Sequence, residues 1–169
     1  MNFCKYADDT YLIVPASNVD TRTAELRNIT DWATINNLSL NLSKSEEIVF
    51  IDKRRESHFQ TPEMLNGQEH IQHIKIFVVT FTNGLSVTLH IQQLIAFNAQ
   101  ALYALKLLRA HGLCDKAIQT VFHSVVLARY LYASPAWWGF AGVQDRQKVE
   151  GFLCCSTPAG FCCKDLPGT

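Results

Sequence analysis

The stretch FCKYADDTYLIV, residues 3–14, decides how the rest of this chain is interpreted. Aromatic and β-branched residues flank the acidic pair Asp8 and Asp9, and such residues favour β-strands. Two acids between two strand-forming segments suit a tight reversal, so we predict a hairpin with both carboxylates at its tip. Hard oxygen ligands suit Mg²⁺, which needs only one or two protein carboxylates, and Mn²⁺ could substitute for it. The alternative is that the two acids only solvate a turn, as most such pairs do.

The composition indicates a globular, intracellular protein. The chain has 169 residues, of which 48% are hydrophobic and 18% are charged, enough for one domain or two small ones with a real core. We find no uninterrupted apolar run of membrane-spanning length and no secretory signal, so we expect a location in the cytoplasm or nucleus and no membrane partner. The 6 cysteines would stay reduced there. Four of them form two adjacent pairs, a spacing that zinc sites do not favour, and we expect no zinc.

The downstream sequence predicts short strands first and helices afterwards. A helix capped by Asp20 or Thr21 should bury Leu26, Ile29, Trp32 and Ala33 and end at Asn36-Asn37. Strands are predicted over residues 38–42, 48–51 and 74–81, and a hairpin turn at Asn66-Gly67. From Leu89 a long apolar stripe predicts a helix that ends at Gly112. A second helix should run from Asp115 towards Pro135, with Ile118, Val121, Phe122, Val125, Ala128 and Leu131 buried, and a third from about Asp145 to Leu153.

Three patterns together resemble the reverse transcriptases of non-LTR (LINE-type) retrotransposons, over a span from Lys5 to Pro167. The first is KYADDTYLIVPA at residues 5–16, the second is LNLSKSE at residues 40–46, and the third is YASPAWWG at residues 132–139. The resemblance implies an α+β fold. Residues 1–86 would form part of a polymerase palm, an antiparallel sheet with one or two helices, and residues 87–169 an all-helical thumb.

The family's chemistry is the Mg²⁺-dependent, RNA-templated addition of a dNTP to the 3′-hydroxyl of a DNA primer. The resemblance implies that Asp8 is a direct metal ligand with Asp9 as its partner, and that Tyr6 lies near the primer end. It also implies that Lys44 protonates the departing pyrophosphate. Lys106 and Arg109, on the predicted thumb, would face the nucleic-acid duplex. Lys44, Lys106 and Arg109 could equally be solvated surface residues. The oligomeric state stays open.

The chain departs from the family pattern at two places. Where the family has a Leu-Gly-Val triplet in the primer grip, residues 77–79 read FVV, so Val78 places a branched side chain where glycine allows close backbone approach. Where relatives carry basic residues, this chain has Cys154, Cys155, Thr157 and Pro158. With 15 basic and 15 acidic residues the net charge is zero, which weakens phosphate binding. We infer a decaying gene copy in which arginine codons became cysteine codons.

The resemblance further implies a third carboxylate and a fingers subdomain upstream of Tyr6. We therefore expect the 169-residue chain to have no polymerase activity alone. Two alternatives remain: a non-enzymatic nucleic-acid-binding module derived from the thumb, and a different palm-type enzyme such as a nucleotide cyclase or a primase-like transferase.

Overall fold

The computed structural model describes residues 2–6, 8–51, 62–63, 70–156 and 161, with the side chains of residues 2 and 3 excepted. It divides into two compact units, Met1–Ile71 and Gln72–Thr169. The described residues form two separate two-stranded antiparallel sheets together with helices, so the fold is mixed α+β, as the sequence predicted. The assignment of residues 1–86 to a palm and 87–169 to a thumb stays a prediction. The predicted turn at Asn66-Gly67 and the substitutions at Thr157 and Pro158 lie outside the described residues.

The first unit begins with the predicted hairpin. Strand β1 (Asn2–Tyr6) pairs with β2 (Asp9–Ile13), and a 3₁₀ turn (Ala16–Thr21) leads into helix α1 (Arg22–Ile35). The helix ends where the paired asparagines predict: Asn37 has φ 55°, and the Leu38 amide donates to the Ala33 carbonyl at 2.8 Å. This is the Schellman arrangement, which satisfies carbonyls that the last helical turn leaves unpaired. The structure therefore confirms the predicted hairpin around the acidic pair and the predicted end of the helix that follows it.

Two predicted strands of the first unit are not formed. Residues 38–42 are irregular up to a single 3₁₀ turn, Leu42–Lys44, and residues 48–51 are irregular as well. Alternation of apolar and polar residues forms a strand only where a neighbouring strand supplies the ladder of hydrogen bonds, and no described strand of this unit pairs with these segments. The predicted burial of Trp32 is also wrong, because its side chain is 48% exposed while Ala33 is buried.

The second unit opens with a hairpin that the sequence did not reveal. Residues 74–81 were predicted as one strand, but the structure contains β3 (His73–Ile76) paired with β4 (Val79–Thr82). Phe77 and Val78 form the two-residue turn with φ 47° and 73°. Two consecutive positive φ angles match the type I′ turn, which ordinarily uses asparagine and glycine. Because neither residue signals a turn, the sequence pattern predicted a continuous strand.

Helices complete the second unit. They are α2 (Thr88–Ala110), α3 (Asp115–Val121), a π-helical turn (Phe122–Leu127), α4 (Ala128–Leu131), α5 (Ser134–Trp137) and α6 (Val143–Ser156). Gly112 has φ 91° and ends α2 as predicted. The apolar core joins β4 to these helices, and its fully buried large side chains include Ile91, Ile118, Phe122, Trp137 and Phe161.

The π-helical turn changes which face of the α3–α4 helix is buried. Ile118 and Phe122 are buried as predicted, but Val121, Val125 and Leu131 are 37%, 39% and 69% exposed. The buried positions at the end of the turn and beyond it are instead Val126, Leu127 and Tyr130. A π-helical turn accommodates one extra residue, so every side chain beyond it moves by one position around the helix. The predicted stripe is therefore correct at Ile118 and Phe122 and wrong at Val121, Val125, Ala128 and Leu131.

Candidate functional site

The β1–β2 hairpin brings the acidic pair to an exposed tip. Asp8 lies in the turn and Asp9 is the first residue of β2, where it pairs directly with Tyr6. Both carboxylates are exposed, and the Tyr6 side chain is 62% exposed. Alternation along the strands places Tyr6, Asp9, Cys4 and Tyr11 on one face of the hairpin, since Cys4 pairs with Tyr11. The tip thus combines two carboxylates with an aromatic ring and is open to a large ligand.

The Asp9 carboxylate has a tyrosine as a neighbour on its own strand. Tyr11 lies two residues beyond Asp9 on the same face of β2, and its residue as a whole is partly buried. Partial burial and the negative charge of Asp9, in that order, raise the pKa of Tyr11 above its usual value. No side-chain hydrogen bond between described residues holds Asp8.

The opposite face of the hairpin is supported by α1. Lys5 pairs with Thr10 on that face, and its ammonium nitrogen lies 5.8 Å from the centre of the Trp32 ring. A cation over an indole face is attracted by the ring's quadrupole, with about 0.5–1 kcal/mol expected at an exposed site. This contact gives the half-exposed Trp32 a role in the first unit, and it keeps Lys5 on the face away from Asp9.

The donor set at the tip fits Mg²⁺ chemistry. Asp8 and Asp9 provide the one or two carboxylates that Mg²⁺ takes from a protein while it keeps several waters. Across the described ranges, no group of three or more histidine, cysteine, aspartate or glutamate side chains converges as a metal site. A tightly bound ion held by protein ligands alone therefore does not match the tip, whereas an ion completed by water and substrate phosphates does.

Lys44 occupies an ordered but separate position. It ends the 3₁₀ turn Leu42–Lys44, and its backbone amide donates to the Asn41 carbonyl at 3.1 Å. Asn41 also accepts from the flanking hydroxyls of Ser43 and Ser45, at 2.7 and 3.0 Å. The Lys44 side chain is exposed, and none of the ion pairs between described residues joins it to Asp8 or Asp9. Asn41 thus fixes the backbone of this turn and leaves the ammonium group accessible.

A charged cluster in the first unit had no sequence signal. Arg22 Nη1 lies 2.8 Å from Glu47 Oε1, and His70 Nε2 lies 3.2 Å from Glu47 Oε2, although the latter contact lacks hydrogen-bond alignment. Arg22 also donates to the Glu63 carbonyl, and the Ile71 amide donates to the Glu47 carbonyl at 2.9 Å. The cluster ties α1 to segments more than twenty residues away. We assign it a structural role, because its charged atoms are directed at one another.

The two predicted cations of the second unit differ in their surroundings. Lys106 is exposed and lines a groove of about 240 Å³ with Tyr103, Phe152 and Phe161. The Arg109 guanidinium is engaged at the protein surface: its Nε lies 3.1 Å from Asp115 Oδ1, and its Cζ lies 4.5 Å from the Phe161 ring centre. Lys106 is therefore accessible to a phosphate, whereas Arg109 would have to exchange these contacts for one.

Comparison of the chain with protein-family models, with curated proteins and with solved structures finds no match. In the part of the chain that the structure describes, no helix combines the length and apolar character needed to cross a bilayer. The candidate site therefore rests on the hairpin geometry and on the sequence patterns themselves.

Proposed function

We propose that this chain is derived from an RNA-directed DNA polymerase of the non-LTR retrotransposon type and contains palm and thumb segments. The observation that carries the proposal is the hairpin, which places Asp8 in the turn and Asp9 at the start of β2, opposite the exposed Tyr6. The polymerase motifs at residues 40–46 and 132–139 support the same assignment.

In this proposal the residues of the hairpin bind and orient substrates. Asp8 and Asp9 hold a divalent cation, and Tyr6 supports the primer terminus from the same face of the hairpin. The cation, when bound, would activate the primer hydroxyl and stabilise charge on the leaving phosphate oxygen. Lys44 offers an exposed ammonium that can donate a proton to pyrophosphate.

The proposal is tested by binding of an RNA/DNA primer–template hybrid with and without Mg²⁺. We expect the hybrid to bind more tightly with Mg²⁺ and to be preferred over single-stranded RNA. The double variant Asp8→Asn/Asp9→Asn should lose the Mg²⁺-dependent part. Asp31→Asn, which removes an exposed carboxylate on α1, should retain it. Equal binding with and without Mg²⁺ by the unmodified chain would refute the metal-site assignment.

A second candidate is a nucleic-acid-binding module that works without catalysis. The outer face of the α3 helix and its π-helical turn forms an open groove of about 600 Å³, lined by Lys116, Gln119, Thr120, His123 and Ser124. All five side chains can donate hydrogen bonds and none is acidic, which suits a phosphate backbone. In this case Lys116→Gln should reduce binding similarly for all sequences and flatten its salt dependence, and the Asp8→Asn/Asp9→Asn variant should bind normally.

A further inference from the structure

We propose that the groove between α2 and α6 binds one unpaired nucleotide of a single-stranded nucleic acid, with its base against Tyr103 and its phosphate on Lys106. The inference rests on the second candidate function, nucleic-acid binding without catalysis, and goes further by naming the ligand class and a contact surface besides α3. It is compatible with the first candidate function, because a primer–template hybrid carries an unpaired template overhang.

Two helices of the second unit provide most of the walls of this α2–α6 groove, which has a volume of about 240 Å³. Helix α2 supplies Tyr103 and Lys106, which are three residues apart and therefore neighbours on one helix face. Helix α6 supplies Phe152, Cys155 and Ser156. The Ser156 hydroxyl already donates to the Phe152 carbonyl at 2.9 Å. The α6 wall therefore suits the flat apolar face of a base better than its hydrogen-bonding edge.

Tyr103 and Lys106 offer the two contacts that a nucleotide needs. The Tyr103 side chain is 66% exposed, so its ring is accessible for stacking. Lys106 is exposed, and none of the ion pairs between described residues includes it. A second cation lies close by, because the Arg109 Cζ is 4.5 Å from the ring centre of Phe161, which also lines the groove. Aromatic stacking beside positive charge is how proteins bind single strands without reading their sequence.

The charge of the chain is distributed unequally between its two units. Residues 1–71 contain 7 basic and 11 acidic residues, whereas residues 72–169 contain 8 basic and 4 acidic ones. Among the described acids of the second unit, Asp115 lies 3.1 Å from Arg109 and Asp145 lies 3.3 Å from Lys148. None of the described residues that line the groove is acidic. The zero net charge of the whole chain therefore does not oppose phosphate binding by the second unit, and charge complementarity favours a polyanion as its ligand.

The test is fluorescence anisotropy of the purified full chain with a labelled oligothymidylate strand, without Mg²⁺, compared with an abasic strand of equal length and charge. Tyr103→Ala should weaken oligothymidylate binding by about 5-fold or more and leave abasic binding unchanged, because only a base can stack. Tyr103→Phe keeps the ring and should bind like the unmodified chain. Lys106→Gln should weaken binding of both strands and reduce the slope of log affinity against log salt by about 0.7.

Matched controls and a second readout locate the bound strand. Tyr132→Ala and Lys75→Gln alter an exposed tyrosine and an exposed lysine that do not line the groove, and should leave both affinities unchanged. Saturating oligothymidylate should slow the alkylation of Cys155 by iodoacetamide, because Cys155 lines the groove. The exposed Cys4 of the first unit should react at the same rate with and without the strand. Mass spectrometry of the digested chain measures both rates.

The outcomes separate this inference from the second candidate function. If the unmodified chain binds neither strand at low salt, both are overturned. If Lys116→Gln weakens binding but Tyr103→Ala and Lys106→Gln act no differently from their controls, only the groove assignment is overturned. Equal affinity for the two strands, or an unchanged alkylation rate of Cys155, would also overturn it. Circular dichroism of each variant reports whether the fold is retained.

Discussion

Val78 occupies a backbone conformation that favours glycine, and we expect Val78→Gly to raise the free energy of unfolding of the second unit. Its φ of 73° is the second positive angle of the β3–β4 turn. For a β-branched residue the left-handed region costs about 1–2 kcal/mol. The Val78 side chain is 58% exposed, so its removal eliminates few packing contacts. Glycine also raises the entropy of the unfolded chain, and this effect subtracts about 0.5–1 kcal/mol from the stability gained.

The net gain expected from Val78→Gly is therefore about 0.5–1 kcal/mol. For a unit of this size 1 kcal/mol corresponds to roughly 4–8 °C in Tm, so the transition should rise by about 2–8 °C. Differential scanning calorimetry measures the change, and tryptophan fluorescence in a Trp32→Phe background, where only Trp137 and Trp138 emit, identifies the transition of the second unit.

Two matched variants make the argument about Val78 falsifiable. Val78→Ala keeps a Cβ at the strained position and should gain less stability than Val78→Gly. Val143→Gly removes a 73% exposed valine from the first position of α6, which is not among the positive-φ residues, and should not raise stability. If Val78→Gly is neutral or destabilising, or if alanine stabilises as much as glycine, backbone strain at this turn is not the cause.

Three further predictions concern the interior of the second unit. Thr88→Val removes the hydroxyl that donates to the buried Asp145 carboxylate at 2.6 Å and should cost about 1.5–3 kcal/mol in urea unfolding, and a loss below 0.5 kcal/mol would contradict this. Burial, followed by the charge of Lys75, lowers the pKa of His90, so the unfolded state binds a proton more readily than the folded state. Stability should then fall as pH drops below about 6.5, by up to about 1.4 kcal/mol per unit until the folded pKa is reached, and His90→Phe should flatten this part of the urea profile. Phe161→Ala should cost about 3–5 kcal/mol, because the ring is fully buried, whereas Phe97→Ala, at a 60% exposed ring, should cost far less in the same assay.

Local signals predicted those parts of the fold that depend on local chemistry. The β1–β2 hairpin follows from strand-forming flanks around two acids, and the ends of α1 and α2 follow from Asn37 and Gly112, which adopt positive φ. The β3–β4 turn was missed because Phe77 and Val78 ordinarily avoid such angles. The π-helical turn was missed because apolar residues occur on both faces of the helix around it, so either register fits the pattern.

Within the candidate site, the sequence predicted the positions of the acids but not their support. Asp8, Asp9 and Tyr6 meet at the tip because a two-residue loop brings them there. The two-residue spacing of Asp9 and Tyr11 along a strand places both side chains on one face, and this proximity contributes to the raised pKa of Tyr11. The Arg22–Glu47 ion pair and the burial of Phe161 join residues that are distant in sequence, and no short-range pattern encodes such contacts.

The π-helical turn makes this helix tolerant of a change in chain length. If one residue were deleted at Ser124, whose side chain is exposed, the buried residues Ile118, Phe122, Val126, Leu127 and Tyr130 would stand at intervals of i, i+4, i+7, i+8 and i+11. Those are the intervals of one face of a regular α-helix. A three-nucleotide deletion there would therefore preserve the core and convert the π-helical turn to α-helix. The loss of this one codon would therefore leave the fold of the second unit intact.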